Sequence, residues 1–285
     1  MPSVVSLDGA IVPRGRAVVS VYDRGFLYGD TVFETLRVYR GAPYLLGEHL
    51  ARLAGSAALV GIDLPVGLDA IEREVRAALA AAAEPEAVVR VTLSRGEGPL
   101  GLDPSTATRP RRVVFVEPLG SGPAAVQASG IAVRLVPTRR AADLVPAAKV
   151  GAYLDAVVAV RAARAQGDDE AIVVDPAGLV VEATAANVFA LVDRPEGPTL
   201  VTPPEGALLP GITRRRVIEL AHAASMAVAE SPLTAEDLAG AGEAFLTSSV
   251  REIVPVVRVD GRPVADGAPG PVTRRLQAAY RAAVG

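Results

Sequence analysis

The feature that most constrains this chain is a repeated change of hydrophobic period. Phe33-Glu34-Thr35-Leu36-Arg37-Val38-Tyr39 alternates as a strand does and is turned by Arg40-Gly41. From Glu48 the apolar positions shift to helical spacing at Leu50, Leu53, Ala57 and Val60, and an alanine-rich stretch from Leu68 to Ala83 predicts a second helix. Short apolar runs at Val4-Val5-Ser6-Leu7 and Val18-Val19-Ser20-Val21 predict strands, as do Val88 to Ser94 and Arg112 to Glu117.

The same mixture recurs after residue 130. A strand is expected at Ile131 to Pro137, a helix at about Tyr153 to Gln166, and a strand pair at 171–174 and 179–181 across Asp175-Pro176-Ala177-Gly178. Strands at Asn187 to Val192 and Glu243 to Thr247 alternate with a helix beginning near Thr213, and a last helix covers Val272 to Ala283. The class is therefore mixed α+β without an internal repeat. Residues 118–130 hold Gly, Pro and small side chains with little to bury, so they read as a linker over 119–130 between domains at 1–118 and 131–285.

Composition narrows the chemistry. With 32 acidic and 29 basic side chains, and no basic block beyond Arg214-Arg215-Arg216, there is little footprint for nucleic acid or an anionic membrane. No cysteine is present and the two histidines, His49 and His222, stand far apart, so neither disulfides nor a thiolate or histidine metal site is expected. The N-terminal residues lack a basic segment followed by an apolar one, no window suits a membrane span, and a cytoplasmic location is expected.

Of the 29 basic residues, 28 are arginine and one is lysine, Lys149. Arginine substitutes for lysine at most solvated or paired sites but cannot supply a neutral amine. A lone lysine in such a chain is a candidate for covalent amine chemistry. Pyridoxal 5′-phosphate (PLP) requires that amine, an acid facing its ring nitrogen and donors for its phosphate. Glu182, 33 residues after Lys149 at a strand end, suits the second need. Leu209-Pro210-Gly211-Ile212-Thr213-Arg214 suits the third, with Thr213 expected as the cap of a helix whose free amides would face an anion.

The run from Glu182 through Thr184, Asn187-Val188-Phe189, Leu200-Val201-Thr202, Leu209, Gly211-Ile212 and Arg214 resembles the class IV aminotransferase signature. The likeness extends to Tyr22 through Asp30, Val32 to Arg37, Glu48-His49-Leu50-Ala51-Arg52-Leu53, and 246–261, nearly the whole chain. It implies fold type IV: a smaller N-terminal α/β domain and a larger C-terminal domain with PLP at their interface, in a homodimer.

By this resemblance Lys149 would carry PLP as a Schiff base and act as the catalytic residue. Glu182 would face the ring nitrogen and Tyr153 the phenolic oxygen. Arg52 would grip the phosphate with the amides of Ile212 and Thr213 and the segment Thr247 to Ser248, and Thr184, Asn187 and Gly211 would complete the cofactor site.

The family includes branched-chain L-amino acid transaminases, D-amino acid transaminases, (R)-selective amine transaminases and 4-amino-4-deoxychorismate lyases. The wording of Phe33 to Tyr39 and of 247–253 looks closer to the D-amino acid and lyase branches, so transamination between D-alanine or D-glutamate and a 2-oxo acid is the favoured expectation. The Arg-x-His carboxylate trap common in bacterial D-amino acid transaminases is absent, with Leu100 and Leu102 in its place. Arg24, Arg37, Arg90 and Arg95, with Tyr28, are then the candidate carboxylate donors. Leu100 and Leu102 also suit the apolar pocket of a branched-chain L-transaminase, the alternative; the lyase comes third.

Overall fold

A computed structural model describes residues 4–137, 147–206 and 208–284. The chain divides into two compact units, Met1–Gly120 with Ala148–Tyr153, and Ser121–Ala147 with Leu154–Gly285. The break after Gly120 falls within the expected linker, whereas the return of Ala148–Tyr153 to the first unit has no sign in the linear sequence.

The first unit contains β1 (Val4–Leu7), β2 (Ala10–Val12), α1 (Arg24–Tyr28), β3 (Thr31–Tyr39), β4 (Ala42–Pro43), α2 (Leu46–Leu59), α3 (Leu68–Ala82), β5 (Ala87–Ser94) and β6 (Arg111–Pro118). Its sheet runs β2-β1-β6-β5-β3-β4, and every pairing is antiparallel. Val32, Leu36 and Val38 of β3 join Leu50 and Leu53 of α2 and Ile71 and Val75 of α3 in one core. Each such fully buried side chain contributes about 1.5–3 kcal/mol. Because side chains alternate along a strand, Glu34 shares this core-facing row, and Phe33, Thr35 and Arg37 occupy the other face. Val18, Val19 and Val21 form no strand, contrary to expectation; all three are exposed, with no partner strand among the described residues to satisfy their backbone.

The second unit contains α4 (Gly122–Ser129), β7 (Ile131–Pro137), α5 (Leu154–Arg164), β8 (Glu170–Val174), β9 (Val180–Ala183), β10 (Asn187–Arg194), β11 (Gly197–Thr202), α6 (Ile212–Ala223), β12 (Val228–Glu230), α7 (Ala235–Ala239), β13 (Glu243–Ser248), β14 (Glu252–Val259), β15 (Arg262–Pro263) and α8 (Pro271–Val284). The sheet order is β12-β11-β10-β13-β14-β7-β8-β9, with β15 paired to β14. Pairs β7–β8, β7–β14 and β11–β12 are parallel.

The segment read as a linker, 119–130, contains the helix α4. Pro123 sits in its first turn, where a fixed φ favours helix initiation. Val126 packs on the core and the buried Gln127 donates from Nε2 to the Arg251 carbonyl at 2.8 Å. The cap of α6 is Gly211, not Thr213, which lies buried inside the first turn. Among the described residues no helix is long and apolar enough to cross a membrane.

Candidate active site

Lys149 is fixed against β3 by its backbone. Its carbonyl accepts from the Phe33 N–H at 3.0 Å, Gly151 N–H donates to the Thr31 carbonyl at 2.8 Å, and Val150 bridges Val32. The Lys149 N–H donates to Ser56 Oγ at 3.0 Å, tying the segment to α2 as well. A Cβ at Gly151 would collide with the Thr31 hydroxyl, so glycine permits this close approach.

Around the lysine the first unit gathers an aromatic face. Lys149 Nζ lies 4.7 Å from the Phe33 ring centroid, and Tyr153 meets the same ring edge-on at 5.3 Å. The Arg90 guanidinium stacks at 3.6 Å on that ring. Burial pushes the Arg90 guanidinium below its ordinary range, and Tyr153 acts against that shift. Its one hydrogen bond among the described residues is long, 3.4 Å from Nε to Thr92 Oγ1, and no carboxylate pairs with it there. A partly desolvated cation without an acid partner suits an incoming carboxylate.

The other candidate arginines have different surroundings. Arg24 and Arg95 converge on Asp30, at 2.9 and 2.8 Å, and both also donate to backbone carbonyls. Burial pushes the Asp30 carboxyl up, but the hydrogen bonds from Arg95 and Arg24 outweigh it and hold it below the usual range. These two arginines are structural ties in our reading, not substrate donors. Arg37 pairs with Glu86 at 3.5 Å and stacks on Tyr39. The Tyr28 hydroxyl accepts from the Gly101 N–H at 2.9 Å, fastening the loop that holds Leu100 and Leu102 exposed. Arg52 lies flat against Glu34, donating from Nε at 2.6 Å and Nη2 at 2.8 Å.

In the second unit Asn187 organises the acidic and anion-binding elements. Its Nδ2 donates to the Leu209 carbonyl at 3.1 Å and approaches Glu182 Oε2 at 3.4 Å. It pairs across strands with Thr247, and a Cβ at Gly211 would strike its Oδ1. The turn into α6 is locked by Arg214, fully buried, which donates to the Pro203 carbonyl at 2.8 Å and to Glu230 at 2.7 Å. Ile212 and Thr213 follow Gly211 directly, where helix geometry offers their amides no intrahelical acceptor. Thr184 is not turned to this group: its hydroxyl donates to Glu170. Ser248 Oγ accepts from the Arg251 N–H at 3.4 Å.

Comparison with known proteins identifies the family. The family model for amino-transferase class IV matches residues 31–259. A Methanocaldococcus jannaschii protein provisionally named a branched-chain-amino-acid aminotransferase is 37% identical over 97% of this chain and 95% of its own. A D-alanine aminotransferase of Bacillus licheniformis is 27% identical over 97% and 95%. A branched-chain amino acid aminotransferase from T.th., solved with pyridoxamine 5′-phosphate, superposes with a TM-score of 0.90 at 29% identity, covering 100% of this chain and 94% of that one. The chain belongs to the class IV aminotransferase family.

The residues of this aminotransferase fit PLP on structural grounds. Thr213 Oγ1 and Thr247 Oγ1 are buried with no hydrogen-bond partner among the described residues, an unfavourable state that phosphate oxygens would relieve. With the lone amine of Lys149 and the strand-held acid of Glu182, the chain holds the three chemistries the cofactor needs. Sequence reasoning did not single out Phe33, whose backbone seats Lys149 and whose ring carries Arg90 and Lys149 Nζ. Alternation identifies Phe33 only as a strand residue; its role depends on the fold-back of 148–153.

Proposed function

We propose that the protein is a branched-chain L-amino acid aminotransferase that moves an amino group between such an amino acid and a 2-oxo acid with PLP held by Lys149. The observation that carries this reading is the aromatic face of Phe33 and Tyr153 beside Lys149, on which Arg90 supplies a cation without an acidic partner among the described residues. An apolar side chain gains by meeting such a wall, and a carboxylate gains by meeting Arg90. The absent Arg-x-His trap and the exposed Leu100 and Leu102 point the same way. The D-amino acid preference expected from the wording of two strands is the weaker reading, because the branched-chain relative shares 37% of residues against 27% for the D-alanine relative.

When bound, PLP supplies an electron sink for the substrate Cα carbanion. In this reading Lys149 Nζ moves the proton at Cα, Glu182 keeps the ring nitrogen protonated, and Tyr153 donates toward the phenolic oxygen. Arg52, the amides of Ile212 and Thr213, and the hydroxyls of Thr213 and Thr247 hold the phosphate. We place Arg90 as the substrate carboxylate donor.

We further propose a homodimer. Phe26 is 69% exposed and Leu100 and Leu102 are 73% and 79% exposed, on elements joined by the Tyr28–Gly101 hydrogen bond. Sedimentation equilibrium tests it, and a monomer would refute it. For the activity, the holoprotein is mixed in turn with L-leucine and D-alanine while the visible cofactor band is followed. Loss of the band with L-leucine alone is expected; conversion by D-alanine alone would overturn the reading.

A further inference from the structure

Glu34 stands in a row reserved for apolar side chains. It lies between Val32 and Leu36 on the core-facing side of β3 and is fully buried. An unpaired carboxylate there would cost several kcal/mol, so its retention requires compensation. Three donors provide it: Arg52 Nε at 2.6 Å, Arg52 Nη2 at 2.8 Å and His49 Nδ1 at 2.6 Å. A carboxylate only accepts, so His49 Nδ1 carries a proton. His49 and Arg52 lie three residues apart on one face of α2, and His49 is almost completely buried.

The fork fixes the plane of the Arg52 guanidinium, since a bidentate pair removes the rotamer freedom an arginine otherwise has. Arg52 itself keeps 14% of its side chain exposed. The strand that carries Glu34 also carries Phe33, whose N–H holds the Lys149 carbonyl. One dipeptide thus registers both the lysine and the arginine.

We infer that Glu34 is a positioning residue for cofactor phosphate recognition, holding Arg52 in a preset orientation while His49 fixes the second carboxylate oxygen. This rests on the reading that Arg52 binds the phosphate.

The experiment measures binding of PLP and of pyridoxal, which lacks the phosphate, to apoprotein carrying Glu34→Gln, His49→Leu, Arg52→Ala and the double variant Glu34→Gln/Arg52→Ala. Glu34→Gln should weaken PLP about tenfold, within the effect expected of a group that orients a ligand-binding residue, and leave pyridoxal unchanged. His49→Leu, which keeps the carboxylate, should weaken PLP by a smaller factor. In the Arg52→Ala background, Glu34→Gln should add nothing, because the two act through one contact. Equal weakening of PLP and pyridoxal by both Glu34→Gln and His49→Leu, or full additivity with Arg52→Ala, would overturn the positioning role. An Arg52→Ala protein with unchanged preference for PLP over pyridoxal would instead refute the phosphate role of Arg52 itself.

Discussion

Arginine is buried in two ways within the first unit. Around Asp30, Arg24 and Arg95 meet a carboxylate and a set of backbone carbonyls, so their charge is answered by the protein. On the Phe33 ring, Arg90 is partly desolvated over an aromatic face with no acid paired to it among the described residues. Phe33 and Arg90 lie on β3 and β5, whose register pairs Thr31 with Ser94 and Thr35 with Arg90, whereas Asp30 immediately precedes β3, Arg95 immediately follows β5 and Arg24 belongs to α1. Burial alone therefore does not mark a functional arginine. What distinguishes Arg90 is burial without a counter-ion among the described residues, on the same ring as the only lysine.

The largest effect should come from the group that Arg90 accompanies. Lys149→Ala should reduce transamination by at least about 10²–10⁴-fold, the range for removing a general acid–base group, as measured by steady-state turnover. If Lys149 were a surface survivor of lysine loss, turnover would hardly change.

Asp30→Asn separates the two classes of arginine. It leaves Arg24 and Arg95 without their carboxylate and should destabilise the fold by about 3 kcal/mol, read by denaturant unfolding. The Asp30 carboxyl is held below its usual range in the folded protein, so its contribution is present above the ordinary carboxylate range and is lost as pH falls through the lowered value. Acid unfolding of the wild type should therefore be steeper than that of Asp30→Asn. Equal acid sensitivity would remove Asp30 from the structural class.

Arg90→Gln should do the reverse. It should raise KM for the amino acid by roughly 10–100-fold, the loss of a hydrogen-bonded charge, while unfolding stability and the visible spectrum stay unchanged. A large stability loss with unchanged KM would place Arg90 with Arg24 and Arg95. The smallest effect is expected in the second unit: Thr247→Val should weaken PLP by a few-fold, about 1 kcal/mol, in an apoprotein titration.

The contrast also explains what the sequence revealed. Lys149 stood out because no other lysine competes with it, and the α6 turn because Gly-Ile-Thr followed by a helical run is a local pattern. Glu34 was legible only as one residue of an alternating strand; its place in the core row and its partners on α2 come from the fold. Arg24 and Arg95 looked like substrate donors because their answer, Asp30, appears only once β3 and β5 are in register. The helix over 122–129 was hidden by Gly, Pro and alanine, whose packing on β14 depends on a strand more than 100 residues later. The cap of α6 was misplaced by two residues because Thr213 suits a capping role in sequence, whereas in the fold its hydroxyl lies buried and unpaired among the described residues.

The most direct test is borohydride trapping of the holoprotein after incubation with substrate, followed by peptide mapping. Untreated protein should carry the reduced cofactor on Lys149. Prior incubation with L-leucine should strip that label by converting the cofactor to its amine form, whereas D-alanine should leave it in place. Label retained after L-leucine but lost after D-alanine would contradict the branched-chain assignment, and failure to label Lys149 at all would contradict the role of the lone lysine.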